Sequence, residues 1–292
     1  MLQAQNPGRQ DWIILVFLSI VWGSSFILIK YCLEYFTPIQ VGALRVLISS
    51  VAFLPICIIR WKRIDWSYWP FYLIVGLCGS GIPSFLFPLA QQELESSIAG
   101  ILNSLTPLFT LIIGILFFAT KLNKWKTLGV FIGLLGATIL TVWGQELSID
   151  SKIIYGLYIV AATLCYGISV NVVKGKVDHI NATLLSSLAF SFLIPFAIVM
   201  LYVSDATSAV VQTGAWKGIA YVSILSLVGT FLSSILFYKM VQRTNAVFGS
   251  SVTYLIPVVS LMWGVADGES FTIFHVLGMV FILAGVYLSR KS

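Results

Sequence analysis

Apolar stretches long enough to cross a bilayer recur along this chain and leave little over. A helix needs about 20 apolar residues to span the hydrocarbon. Ten such runs are read at about 12–29, 41–59, 69–90, 97–118, 126–143, 153–172, 182–203, 216–237, 246–265 and 273–289. They occupy about two thirds of the 292 residues, so the loops are short and no soluble domain is attached. The chain is 59% hydrophobic and only 10% charged, where a soluble domain carries about 25% charged residues. Most of a globule's outer layer faces water, so apolar residues in this excess have no soluble core to hide in. The expected class is an all-α polytopic membrane protein, which excludes a soluble enzyme, a nucleic-acid binder and a disordered scaffold.

Charge supports the count. With the N-terminus inside and the runs alternating, thirteen of the 17 basic residues fall in inside segments, from Arg9 to Lys291. Lys30, Lys152 and Lys217 fall outside, and Arg45 lies within a run. The acids lean the other way, with only Asp11, Asp65 and Asp178 inside. Cytoplasmic segments carry the Lys/Arg excess in membrane proteins. Both termini are therefore expected in the cytoplasm, and one run more or fewer would scramble the pattern. The first run lacks a small-residue cleavage site and reads as a retained span.

The chain also repeats itself at about half its length. VWGSSFILIK at 21–30 is matched by CYGISVNVVK at 165–174, and PLFTLIIGIL at 107–116 by PVVSLMWGVA at 257–266. Leu128, Gly129 and Gly136 recur as Leu277, Gly278 and Gly285. The reading is two five-helix repeats, residues 1–145 and 146–292. Five is odd, so the second enters the membrane inverted. Inverted repeats mark secondary transporters, with the substrate site at the repeat interface near the midplane.

WGSSF at 22–26, Arg45 within ALR, and the run from Leu255 to Val286 resemble the drug/metabolite transporter superfamily, in its EamA-like branch. In that run Pro257, Gly264, Gly268-Glu269, Gly278 and Gly285-Val286 follow the family's spacing. The resemblance covers nearly the whole chain as two EamA-type units. It implies a ten-helix carrier of the bacterial inner membrane, often an exporter of amino acids or other metabolites. The first unit departs from the pattern, with Ala119-Thr120 where the second has Gly268-Glu269. Glu269 is accordingly expected to cap the outer end region of the ninth helix and not to bind substrate.

Ionisable groups are nearly absent from the runs. An intramembrane Arg is costly and points to function. Arg45 has two open readings: its stem snorkels to the outer headgroups or to Glu34, or it faces a cavity and holds a carboxylate or phosphate in its planar fork. Pro107 and Pro257 stand at equivalent places in runs four and nine. A proline within a helix frees the carbonyl four residues earlier, here at Asn103 and Thr253. Each half thus has a weak point for a kink or gate, and a wet cavity is expected to receive the freed carbonyls. Trp22 and Ser25 share a helix face in run one, as do Tyr166 and Ser169 in run six. The expected binding set is Trp22, Ser25, Arg45, Asn103, Tyr166, Ser169, Asn171, Thr253 and Tyr254, suited to amino acids or related amphipathic solutes. Glycines such as Gly129, Gly133 and Gly136 are expected to serve close helix packing.

The four cysteines are widely spaced, His179 and His275 stand alone, and no HExxH, GxSxG or Walker motif occurs. No metal, cofactor or catalytic residue is expected. The leading reading is a secondary metabolite carrier, with an intramembrane enzyme or a channel-like pore as alternatives. The expected partners are a small-molecule solute and the lipid bilayer, with no nucleic acid, the chain acting as monomer or homodimer.

Overall fold

The computed structural model describes residues 8–118, 124–143, 149–212, 214–244 and 246–289. Every regular element among them is helical. The long ones are α1 (Arg9–Leu33), α2 (Pro38–Ile59), α3 (Trp66–Ala90), α4 (Ser96–Phe117), α5 (Lys124–Trp143), α6 (Ile149–Lys176), α7 (Ala182–Val203) and α8 (Ala215–Arg243). They are followed by α9 (Ile256–Ala266) and α10 (Ile273–Ser289). Seven, α1 to α4 and α6 to α8, are long and apolar enough to cross a membrane.

Local chemistry starts these helices where they start. Thr37 and Gln40 form a reciprocal capping box ahead of α2, with Pro38 in the first turn, where its missing N–H costs nothing. Asn181 Oδ1 accepts the backbone N–H groups of Thr183 and Leu184 at the start of α7. Such caps satisfy donors that the helix itself cannot.

Besides the short 3-10 turns at Trp61–Arg63 and Trp66–Tyr68, four segments depart from α-helical pitch, in two matching pairs. A π turn interrupts α3 at Leu77–Gly81 and α8 at Leu227–Leu232. A 3-10 turn interrupts α4 at Asn103–Leu105 and precedes α9 at Ser251–Tyr254. In the second pair Pro107 and Pro257 stand in the first turn of the α-helix that follows.

The exterior is apolar, unlike that of a soluble protein. Trp12, Ile13, Val16, Phe17 and Ile20 of α1 are exposed, while Ser19 and Ser25 of the same helix are buried. Packing also follows the repeat. α1 packs on α8 and α9, and α6 packs on α3 and α4; α2 meets α7, and α5 meets α10. Renumbering every helix by five maps this set of pairs onto itself. Small residues allow the close approaches. A Cβ on Gly136 would stand 2.7 Å from the backbone nitrogen of Ile282 and 2.8 Å from the carbonyl of Gly278, so α5 and α10 touch backbone to backbone.

Candidate functional site: a central cavity between the halves

A cavity of about 90 Å³ lies among α1, α2, α3, α4, α6, α8 and the turn before α9. One water takes about 10–15 Å³ of such space, so the chamber holds several waters or a small organic solute. Trp22, Ser25, Arg45, Asn103, Tyr166, Ser169 and Thr253 all stand on its wall.

The wall is built in matched pairs. Trp22 packs edge-on against Phe237 with ring centroids 5.1 Å apart. The equivalent Tyr166 stacks on Phe87 at 6.1 Å. The Trp22 indole N–H donates to the carbonyl of Gly229 at 2.9 Å, within the π turn of α8. Such turns release backbone groups from the regular ladder, and this one also presents Thr230 to the cavity. On the other side Gly79, in the π turn of α3, lies against Ser169 and the Tyr238 hydroxyl, leaving no room for a Cβ.

Arg45 does not snorkel. It lies seven residues into α2, about 10 Å along the axis, and is only 8% exposed. Its Nε donates to the Thr230 hydroxyl at 2.8 Å. That bond crosses between the halves and turns the guanidinium inward, away from Glu34.

Other expectations need correction. Asn171 is not on the cavity wall. Its amide donates to the carbonyls of Thr110 and Gly167, both at 2.8 Å, so it ties α6 to α4. The side chain of Tyr254 lies outside the described residues, as do Ala119 and Thr120. Pro107 and Pro257 follow the helix breaks but do not line the cavity. The carbonyls four residues before these prolines have protein partners. Asn103 O accepts the Thr106 hydroxyl at 2.8 Å, and Thr253 O accepts the Ser104 hydroxyl at 3.0 Å. Buried carbonyls are nearly always hydrogen-bonded, and here neighbouring hydroxyls supply the donors.

Sequence reasoning missed the Gly79-Ser80 and Gly229-Thr230 turns and the Phe87 and Phe237 platforms. A signal existed, because each of these pairs is separated by 150 positions, within the spacing of the repeat.

Polar contacts join the halves at both ends of α1. Near its start, Asp11 is buried and lies 3.6 Å from Arg243 of α8. Near its end, Lys30 Nζ lies 2.6 Å from Asp267 and 3.2 Å from Glu269, and the Tyr31 hydroxyl donates to Asp267 at 2.6 Å. Hydrogen bonds from Lys30 and Tyr31 hold the Asp267 carboxyl below its ordinary value. Glu269 caps two helices: its backbone N–H donates to the carbonyl of Gly264 at 2.9 Å, at the end of α9 as expected, and its side chain caps the start of α4. Its carboxylate accepts the backbone N–H and hydroxyl of Ser96 and the N–H of Ser97 at 2.6–3.0 Å. Burial pushes its carboxyl up, but these bonds outweigh burial and hold it below the usual range. Beside it, burial raises Glu95 despite the hydrogen bond from Ser270. Glu95 Oε2 and the Nε2 of the fully buried His275 face each other at 3.8 Å.

An apolar exterior and helices of bilayer-crossing length define an integral membrane protein, with a chamber of mixed polar and aromatic lining between its two halves. The sequence pattern of the EamA-like transporter family matches residues 10–142 and again 153–290, and the chain belongs to that family. An uncharacterized transporter of Archaeoglobus fulgidus is 28% identical over 281 residues, covering 96% of this chain and 98% of the relative. A protein of Salmonella typhimurium described as a probable amino-acid metabolite efflux pump is 24% identical, over 97% of this chain and 95% of its own length. The uncharacterized inner membrane transporter YedA of Escherichia coli is 23% identical, over 93% and 87%. A solved crystal structure superimposes with a TM-score of 0.63 over 96% of both chains at 15% identity, a likeness of fold.

Proposed function

We propose that this chain is a secondary carrier that exports small metabolites, amino acids or related amphipathic solutes, across a bacterial inner membrane by alternating access. In this reading α1 to α10 are ten spans, arranged as inverted repeats over residues 1–145 and 146–292, with both termini cytoplasmic. The observation that carries it is the paired wall of the cavity, where Trp22 on Phe237 has its counterpart in Tyr166 on Phe87. Inverted repeats around one central site supply two conformations of similar energy that open to opposite sides.

The polar contacts at the ends of α1 are the natural closures. Lys30 with Asp267 and Glu269 holds the halves together on the outer side, and Asp11 with Arg243 holds them on the inner side. Transport requires these to part in alternation while the cavity persists. The efflux-pump description of the Salmonella relative supports amino-acid metabolites as cargo and export as direction. The helix breaks before Pro107 and Pro257 are where α4 and the segment leading into α9 would bend.

The test is saturable flux with counterflow in proteoliposomes, comparing the wild type with Asn103→Leu, Thr253→Val and the double variant. Flux should collapse in the double variant while membrane insertion persists. Linear, unsaturable flux would overturn the carrier reading, and normal flux in the double variant would return both residues to helix packing.

A further inference from the structure

The cavity holds a single charged side chain, Arg45, and nothing among the described residues balances it. Among the described residues no Asp or Glu lies on the wall and Arg45 has no ion-pair partner. Its hydrogen bond to Thr230 uses Nε alone, so neither terminal nitrogen has a protein acceptor among the described residues. A buried charge is costly unless it is paired and hydrogen-bonded. Here the missing partner would have to come from whatever enters the chamber.

Resting on the carrier reading above, we infer that the cargo carries a single carboxylate, which pairs with the terminal nitrogens of Arg45. Three features of the site carry this. The guanidinium fork matches a carboxylate in a bidentate, charge-assisted arrangement. Thr230 anchors Nε from the opposite half, which fixes the plane of the fork and leaves its far edge to the solute. The rings of Trp22, Phe87, Tyr166 and Phe237 surround the remaining space, so the rest of the cargo is apolar or aromatic. The charge has no counterpart in the second half, since α7, the repeat partner of α2, contains no basic residue. The site therefore takes one anionic group and not two. A solute whose only charge is positive meets an uncompensated guanidinium at low dielectric and is rejected.

The experiment uses three probes with similar bodies: phenylacetate, phenylacetamide and phenethylamine. Binding to the purified full-length protein in detergent is read by quenching of tryptophan fluorescence. The wild type should bind phenylacetate about 10- to 100-fold more tightly than the amide, the range of a hydrogen bond to a charged group. Phenethylamine should bind more weakly still. Arg45→Gln should abolish the preference for the carboxylate, and Arg45→Lys should retain part of it, as a charge without the fork. Equal affinities for the three probes in the wild type overturn the inference without recourse to any variant. So does failure of phenylacetate to bind, or an unchanged preference in a folded Arg45→Gln protein. The outcomes separate from those of the carrier reading. Saturable counterflow of a neutral solute, equal in wild type and Arg45→Gln, would leave the carrier standing and remove the anion site. Tight phenylacetate binding without saturable flux would do the reverse.

Discussion

The Trp22 indole, in the first half of the chain, donates its N–H at 2.9 Å to the carbonyl of Gly229, in the π turn of α8 in the second half. A side chain from one half thereby satisfies a backbone group released in the other. Trp22→Phe keeps a ring against Phe237 but removes the donor. A buried acceptor left without a partner costs about 1–3 kcal/mol. The expected result is a lower thermal midpoint in detergent for Trp22→Phe, with a further drop for Trp22→Ala as the ring contact is lost. A midpoint for Trp22→Phe equal to that of the wild type would show that the bond carries no weight.

The contact between Lys30 and Asp267 has a defined pH sign. Asp267 is held below its ordinary value by Lys30 and then Tyr31. A depressed carboxylate contributes stability above its unfolded value, about 3.9 for Asp, and loses it as pH falls through the folded value. The wild type should therefore be more stable than Asp267→Asn at neutral pH, and the gap should close below about pH 4. Thermal midpoints of both proteins measured across that range check this. A gap that persists in acid would assign the effect to packing.

Glu95 has the opposite sign. Burial raises its carboxyl, so its protonated form is favoured in the folded state and stability falls as pH rises through the raised value. Glu95→Gln resembles the protonated form and does not titrate. It should match the wild type in acid and exceed it at neutral pH. The groups around it are Glu269, Lys30 and Ser270, with His275 Nε2 at 3.8 Å. A variant less stable than the wild type at neutral pH would mean that the Glu95–His275 contact is a stabilising ion pair.

The two glycines of α5 that face α10 and α4 should behave differently. A Cβ on Gly136 would meet the α10 backbone at 2.7–2.8 Å, whereas one on Gly133 would meet only the Leu108 methyls at 3.4 and 3.6 Å. Overpacking costs about 1–3 kcal/mol. Gly136→Ala should destabilise by that order and Gly133→Ala should cost far less, as read from thermal unfolding. Equal effects would contradict the close approach of α5 and α10.

Much of the architecture was legible before any coordinates. Lipid tolerates few spanning structures, so apolar runs of bilayer length are read directly as helices. The repeat then says which positions should meet, because equivalent residues on either side of a pseudo-twofold axis converge where the halves join. Trp22, Ser25, Tyr166 and Ser169, expected from the repeat and helix periodicity, and Asn103 and Thr253, expected from the two prolines, line one cavity.

What the sequence determined by itself was therefore the helical membrane class and the residue types around the centre, since both follow from hydrophobic length and periodicity. The partners of individual polar groups were decided only by the tertiary structure. Asn171 stands two positions from Ser169, on another side of α6, and its amide goes to Thr110 and Gly167. Glu269 reaches the start of α4 from 173 and 172 positions away. Arg45 could reach either the headgroups or the cavity by its length, and its direction was set by Thr230 in a helix 185 positions distant. Periodicity specifies the side of a helix on which a residue lies. A hydrogen bond is resolved at the scale of an ångström, and it depends on which carbonyls and hydroxyls the other helices bring within reach.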